Sequence, residues 1–180
     1  MKKLLYLFGI LFFVAFSFTS CDDELEQLPN DAFAPESFYK TTQDLEFATR
    51  ALCPGLFSGS YYGGSFLSRP DIVTDNVIVA QEGRKSNLSF YEWRYKSNSA
   101  WNMMGSAYVV INRANQIIDK AENLPDGDLK NNFLGEAHSV RALAHFDLLR
   151  VYSKVSDPSS LGMPYVTVLD PTYEAPRPTV

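Results

Sequence analysis

Two long stretches of the chain repeat apolar residues at steps of three and four, the spacing of a helix face. The first predicts a helix over 99–123, capped by Ser97 or Ser99. One of its stripes is Trp101, Met104, Tyr108, Ile111, Asn115, Ile118; a second is Met103, Ala107, Val110, Ala114, Ile117, Ala121, Leu124. Two stripes mean that this helix buries more than one face. The next runs from 129 to about Tyr152, with Leu129, Phe133, Ala137, Val140, Ala144, Leu148 and Val151 in line, widened by Leu134, Leu143, Phe146 and Leu149. Between them, Pro125-Asp126-Gly127-Asp128 reads as a turn that also supplies an N-cap. Two helices joined by so short a turn must pack as an antiparallel hairpin, and with apolar surface on several sides each needs further neighbours.

A shorter helix is predicted over Gln43–Leu52, capped by Thr41 or Thr42, with Leu45, Ala48, Thr49 and Leu52 on one face and Pro54-Gly55 ending it. From Gly55 to Ala100 the periodicity fails and Gly59, Gly63 and Gly64 interrupt it, which reads as loop. Asp71–Ala80 fits a short strand or a helix start equally. From Ser153 to Val180 the chain is Pro-rich and turn-like, with one apolar run at Tyr165–Leu169. The expected class is mainly α, built of tetratricopeptide-like helical hairpins with irregular loops. Trp101, Met104, Gly105 and Tyr108 match the opening of a tetratricopeptide repeat (Trp-x2-Leu-Gly-x2-Tyr, Met for Leu), whereas the later repeat positions do not match.

The N-terminus follows another logic. Lys2 and Lys3 precede the apolar run Leu4–Phe18, then come Thr19-Ser20 and Cys21. That order reads as a secretory signal over residues 1–20, since the run is short of the roughly 18–20 apolar residues that span a bilayer. A cysteine directly after such a region resembles a bacterial lipobox, with Phe18 in place of the usual aliphatic residue. Acylation of Cys21 would give the two-chain anchor that stable attachment needs. The competing reading is a secreted protein with a Cys21–Cys53 disulfide. With Cys21 acylated, Cys53 is expected to be a buried thiol on a helix. Asp22, Asp23 and Glu24 then open an acidic, polar tether over residues 21–40, ahead of a helical region over 41–180.

Composition sharpens what is excluded. The 180-residue chain is 46% hydrophobic and 21% charged, with 10 Gly, 10 Pro and 2 Cys, so a packed core is affordable and a disulfide scaffold is not. Its formal charge of −5 becomes −7 without Lys2 and Lys3, the wrong sign for nucleic acid. No P-loop, G-x-S-x-G, H-E-x-x-H or paired-cysteine zinc motif occurs, and no cofactor is implied. Glycosidases need only two carboxylates, so a hydrolase is disfavoured by the helical layout rather than by missing motifs.

Trp101-x6-Tyr108-x2-Ile111-Asn-Arg-Ala114-Asn115, followed by Glu136-Ala137-x3-Arg141-Ala142-x3-Phe146-x2-Leu149-x2-Tyr152, resembles the SusD/RagB family of outer-membrane nutrient-uptake lipoproteins. Gly162-x-Pro164, Arg177-Pro178-Thr179-Val180, Glu36-Ser-Phe-Tyr39 and the lipoprotein start fit the same pattern. The resemblance implies a SusD-like fold and a surface lipoprotein that captures glycans or other nutrients. It implies delivery to a TonB-dependent SusC-type transporter barrel, without catalysis. Members of that family usually run several hundred residues, so the chain is expected to be the N-terminal portion of a longer protein. The alternative is a tetratricopeptide-like surface scaffold that holds no small ligand.

For ligand contact, an extended Phe90–Tyr95 segment would set Tyr91, Trp93 and Tyr95 on one side, with Arg94 and Asn98 beside them to bond hydroxyls. Flat rings suit the C–H faces of sugars, although packing explains the same residues. The Tyr61-Tyr62-Gly63-Gly64 loop has similar chemistry. Asn115, Glu136 and Arg141 sit on apolar helices, and pairing of Arg113 or Arg141 with Glu136 would satisfy their charge. His138 and His145, about 10 Å apart on a straight helix, are too distant to share a metal.

Overall fold

The strictest apolar stripe of the sequence becomes the centre of the fold. In the computed structural model, which describes residues 38–94, 96, 101–170 and 172–180, Met103, Ala107, Val110, Ala114, Ile117, Ala121 and Leu124 are all buried. Each Val or Ile so buried stabilises the fold by about 1.5–3 kcal/mol. The elements all lie in the unit Tyr39–Val180. In chain order they are α1 (Thr42–Arg50), α2 (Leu52–Leu56), α3 (Ser65–Ile72), α4 (Leu88–Tyr91), α5 (Met104–Ala121) and α6 (Asp128–Tyr152). Among the described residues there is no strand, only an isolated antiparallel bridge between Leu161 and Thr179. The α5–α6 hairpin is the main packing; α1 lies against both helices and α2 against α5.

The ends of the elements depart from expectation for local reasons. α5 starts at Met104 with Met103 as N-cap, so Ser97 and Ser99, which lie outside the described residues, are not its caps. α6 is preceded by Gly127 with no side-chain cap. The turn is closed instead by buried Lys130, whose Nζ donates to the Leu124 carbonyl (2.8 Å) and to Asp126 (3.0 Å). Thr41 does cap α1, in a reciprocal capping box with Asp44.

Pro54-Gly55 does not end the helical path. Pro54 falls within the first turn of α2, where a missing N–H costs nothing. Gly55 serves close approach, because a Cβ there would stand 2.9 Å from Val110 Cγ2 on α5. Cys53 is on this helix as expected but exposed, since Leu52 and not Cys53 faces the core.

Within the predicted loop, α3 forms despite Pro70 inside it, and the undecided 71–80 segment is irregular after Ile72. On α6 the line Phe133, Ala137, Val140, Ala144, Leu148, Val151 turns inward, but Leu129 is 65% exposed, and Leu143 and Phe146 face outward. Asp147 takes the inward position beside them.

The C-terminal segment is folded back on itself by polar groups. Gly162 N–H donates to the Pro178 carbonyl (2.7 Å), Val180 N–H to Ser160 (3.0 Å), and Arg177 Nε to the Gly162 carbonyl (2.8 Å).

Candidate functional site

The glycine-rich segment between α2 and α3 reverses the chain through its own backbone. Tyr62 N–H donates to Leu56 O (3.0 Å), Gly63 N–H to Ser58 O (3.0 Å) and Ser65 N–H to Gly59 O (2.9 Å). Ser58 and Ser60 fasten the turn to Ser106 of α5 at 2.8 and 2.7 Å. The reversal delivers two consecutive tyrosines to one carboxylate. Tyr61 Oη and Tyr62 Oη donate to Asp147 Oδ2 at 2.6 and 2.7 Å, while Arg150 Nη2 donates to Oδ1 at 2.6 Å. Asp147 is fully buried, so without these donors its charge would cost several kcal/mol. Burial first, and the bond to Asp147 second, push the Tyr61 hydroxyl far above the usual tyrosine range and that of Tyr62 up to about 12.

Around this polar knot the aromatic rings form a wall. Tyr61, Tyr62 and Phe66 pack with centroids 4.7–5.3 Å apart, and Phe66 meets Trp101 edge-on at 6.4 Å. Two guanidinium groups lie on it: Arg150 over Phe66 (5.4 Å) and Phe146 (5.2 Å), Arg69 over Phe90 (4.6 Å) and Trp101 (5.8 Å). A cavity of about 360 Å³ opens between them, lined by Phe66, Leu67, Pro70, Trp101, Arg150 and Val151. An apolar surface beside one oriented cation is chemistry suited to a ring with a polar or charged substituent.

The segment expected to carry ligand contacts is built differently. Leu88–Tyr91 is one helical turn, not a strand, and it reverses at Trp93 in the left-handed region (φ 57°). Trp93 N–H donates to Phe90 O (3.1 Å) and Arg94 N–H to Ser89 O (2.7 Å), using up the groups that an extended strand would pair outward. Tyr91 and Trp93 therefore do not share a strand face. Tyr91 is half-buried at a second cavity of about 170 Å³ with Ile72, Val79 and Arg84. Trp93 is 70% exposed, and Arg94 is engaged by Glu92. Tyr95, Asn98 and Cys21 lie outside the described residues. The lesser candidate loop, Tyr61–Gly64, packs behind the first cavity, its two tyrosine rings against Phe66. Asp147 had no role in the sequence reading; the signal for it is an acid set between Ala144 and Leu148 on the buried stripe, with arginine three residues on.

A second polar seam joins the hairpin to the C-terminal segment. Tyr108 Oη donates to Pro164 O (3.0 Å), Asn115 Nδ2 to Val166 O (3.1 Å), and Arg141 Nη1 to Asn115 Oδ1 (2.9 Å). Arg113 donates to Ala51 O (3.2 Å) and Glu136 accepts from Asn132 (2.7 Å). The expected pairing of either arginine with Glu136 is thus replaced by Asn115 and backbone carbonyls, which need no second buried charge. Met104, Tyr108, Tyr152, Met163, Pro164, Ala175 and Arg177 line a cavity of about 430 Å³ along this seam.

His145 sits in the same seam. Its Nδ1 meets the Arg141 carbonyl (2.9 Å) and its Nε2 accepts from Val166 N–H (3.1 Å), which requires the neutral ring with the proton on Nδ1. Burial lowers its pKa, outweighing the opposing hydrogen bond to the Arg141 carbonyl, and the Arg141 charge adds to the lowering. A base with a lowered folded-state pKa contributes stability above its unfolded value, near 6.5, that is lost as pH falls through and below it. The melting temperature of the wild type should therefore drop between pH about 7 and about 5 more steeply than that of His145→Gln, whose amide does not titrate. Parallel curves would show that His145 does not set the acid limit.

Among the described residues, no group of His, Cys, Asp and Glu is arranged to hold a metal ion, and no helix is long and apolar enough to cross a membrane.

No protein-family profile matches the chain. Two SusD-like proteins of Formosa agariphila are 29% identical over 147 residues and 28% identical over 160, covering 76% and 86% of this chain but 27% and 31% of their own length. A SusD-like protein of Bacteroides ovatus is 23% identical over 159 residues, covering 78% of this chain and 26% of its own. The chain thus spans under a third of the length of these curated relatives. A crystal structure of a candidate sugar-binding protein from Bacteroides vulgatus superposes with a TM-score of 0.64 at 24% identity, over 78% of this chain and 33% of that one. That likeness establishes the fold.

Proposed function

We infer, from a chain related to the SusD-like proteins over most of its length, that this protein is a lipid-anchored cell-surface binding protein. It takes up a glycan or other nutrient and passes it to a TonB-dependent SusC-type transporter in the outer membrane. In this reading residues 1–20 direct export, Cys21 carries the acyl chains, residues 21–40 are the tether and 41–180 belong to the binding protein. The observation that carries ligand capture is the Phe66–Trp101–Arg150 pocket, an aromatic wall with one cation at its edge. It is a binder rather than an enzyme. Asp147, the one fully buried carboxylate among the described residues, has its oxygens taken by two hydroxyls and a guanidinium, which makes it part of the packing around the pocket.

Calorimetric titration of the lipid-free protein with an oligosaccharide panel tests the reading. Saturable binding is expected, weakened about tenfold by Trp101→Ala through loss of the stacking face, which corresponds to about 1.4 kcal/mol. A protein that binds no saccharide or peptide yet co-purifies with a barrel transporter would instead be the surface scaffold.

A further inference from the structure

The direction of charge at the pocket is opposite to that of the chain. The sequence carries a formal −5, yet the described residues lining the Phe66–Trp101 cavity include one cation, Arg150, and no carboxylate. A second guanidinium, that of Arg69, stands 5.8 Å from the Trp101 ring on the same wall. Arg150 is positioned rather than neutralised out of use. Its Nη2 is fixed to Asp147, and Phe66 and Phe146 hold the guanidinium by their faces. Among the described residues Asp147 is its hydrogen-bond partner, so Nε and Nη1 keep N–H donors to offer. The side chain is 48% exposed, so those donors reach solvent.

The Asp147 carboxylate does not cancel this offer. Oδ2 already accepts two tyrosine hydroxyls and lies fully buried behind the rings, while the guanidinium spans from that buried anchor to the cavity. A planar cation with spare N–H groups, pre-oriented beside an aromatic face, matches an oxyanion borne on a ring. Guanidinium binds carboxylate and sulfate alike by paired N–H···O bonds.

We propose that this pocket selects an acidic saccharide, its ring lying on Trp101 and its carboxylate or sulfate group bonded by Arg150. The proposal rests on the saccharide-binding reading above and adds the charge class of the ligand.

The protein is titrated with three oligosaccharides of equal length: a uronic acid oligomer, a sulfated oligomer and a neutral one. At low salt the acidic ligands are expected to bind at least about tenfold more tightly than the neutral one, a difference of about 1.4 kcal/mol. Raising ionic strength from about 0.01 M to about 1 M shrinks the screening length from about 30 Å to about 3 Å. That change should weaken the acidic ligands and leave the neutral one unchanged. Preference between the first two oligomers tells carboxylate from sulfate. Arg150→Lys keeps the charge but loses the fork, and Arg150→Gln loses both. Acidic binding should fall relative to neutral binding at the first and further at the second. The wild-type salt titration stands even where a variant unfolds.

Neutral binding equal to or tighter than acidic binding overturns the charge class and leaves the saccharide reading intact. Acidic binding that persists in a folded Arg150→Gln protein overturns the site. No binding of any saccharide overturns both.

Discussion

Asp147→Ala is expected to destabilise the protein by about 3–5 kcal/mol, the usual penalty for removing one partner of a buried ionic cluster. The substitution strands two tyrosine hydroxyls, that of Tyr61 in a fully buried residue, and leaves Arg150 stacked on two phenyl rings without its counter-ion. For a chain of this size the melting temperature should fall on the order of 10 °C, read by scanning calorimetry. Asp147→Asn keeps an oxygen acceptor and should cost less. Tyr61→Phe removes one donor and one need together, so about 0.5–1.5 kcal/mol is expected from it. An alanine variant within about 1 kcal/mol of wild type would mean that the carboxylate merely occupies the site and does not organise the loop.

Gly63→Ala should be comparably damaging for a different reason. A Cβ at this position would lie 2.1 Å from the Phe57 carbonyl oxygen and 2.8 Å from that of Ser58. Both obstacles are backbone, so no rotamer change relieves the clash; the reversal itself must open. Opening it withdraws Tyr61 and Tyr62 from Asp147 and the serines from Ser106. A loss of about 2–4 kcal/mol is therefore expected, at and beyond the upper end of the usual range for one overpacked methyl, with a weaker near-ultraviolet tyrosine signal. Gly59→Ala is the control, since a Cβ there meets nothing within 4 Å. Equal melting temperatures for the two variants would refute the close-approach argument.

The helical hairpin was legible because seven apolar residues from Met103 to Leu124 repeat without interruption, and the structure buries every one of them. Tyr39–Val180 also shows why the rest was not. Pro54 reads as a helix breaker, yet it falls in a first turn, and α3 tolerates Pro70 inside it, outcomes set by position and packing rather than by residue type. Phe90–Tyr95 alternates like a strand but has no partner strand among the described residues, so a turn closed by local hydrogen bonds wins over 90–94. Leu143 and Phe146 extend an apolar stripe on paper, whereas the real stripe admits Asp147 because two hydroxyls arrive from far away in sequence. Periodicity reports which faces are apolar. It is silent about polar partners brought together only by the tertiary fold, and these are what hold the pocket's one cation, Arg150, in place.

The two polar fastenings also set an order of events in folding. α5 and α6 are joined by a short turn, so their contacts close small loops at low entropic cost. Tyr61 and Asp147, by contrast, are 86 residues apart, and Tyr108 and Asn115 reach carbonyls 56 and 51 residues onward. Such long closures are rewarded only once the hairpin exists to receive them. Helix-core substitutions such as Val110→Ala should then slow refolding. Cutting the Asp147 or Asn115 fastenings should leave the refolding rate near its original value and shorten the lifetime of the native state.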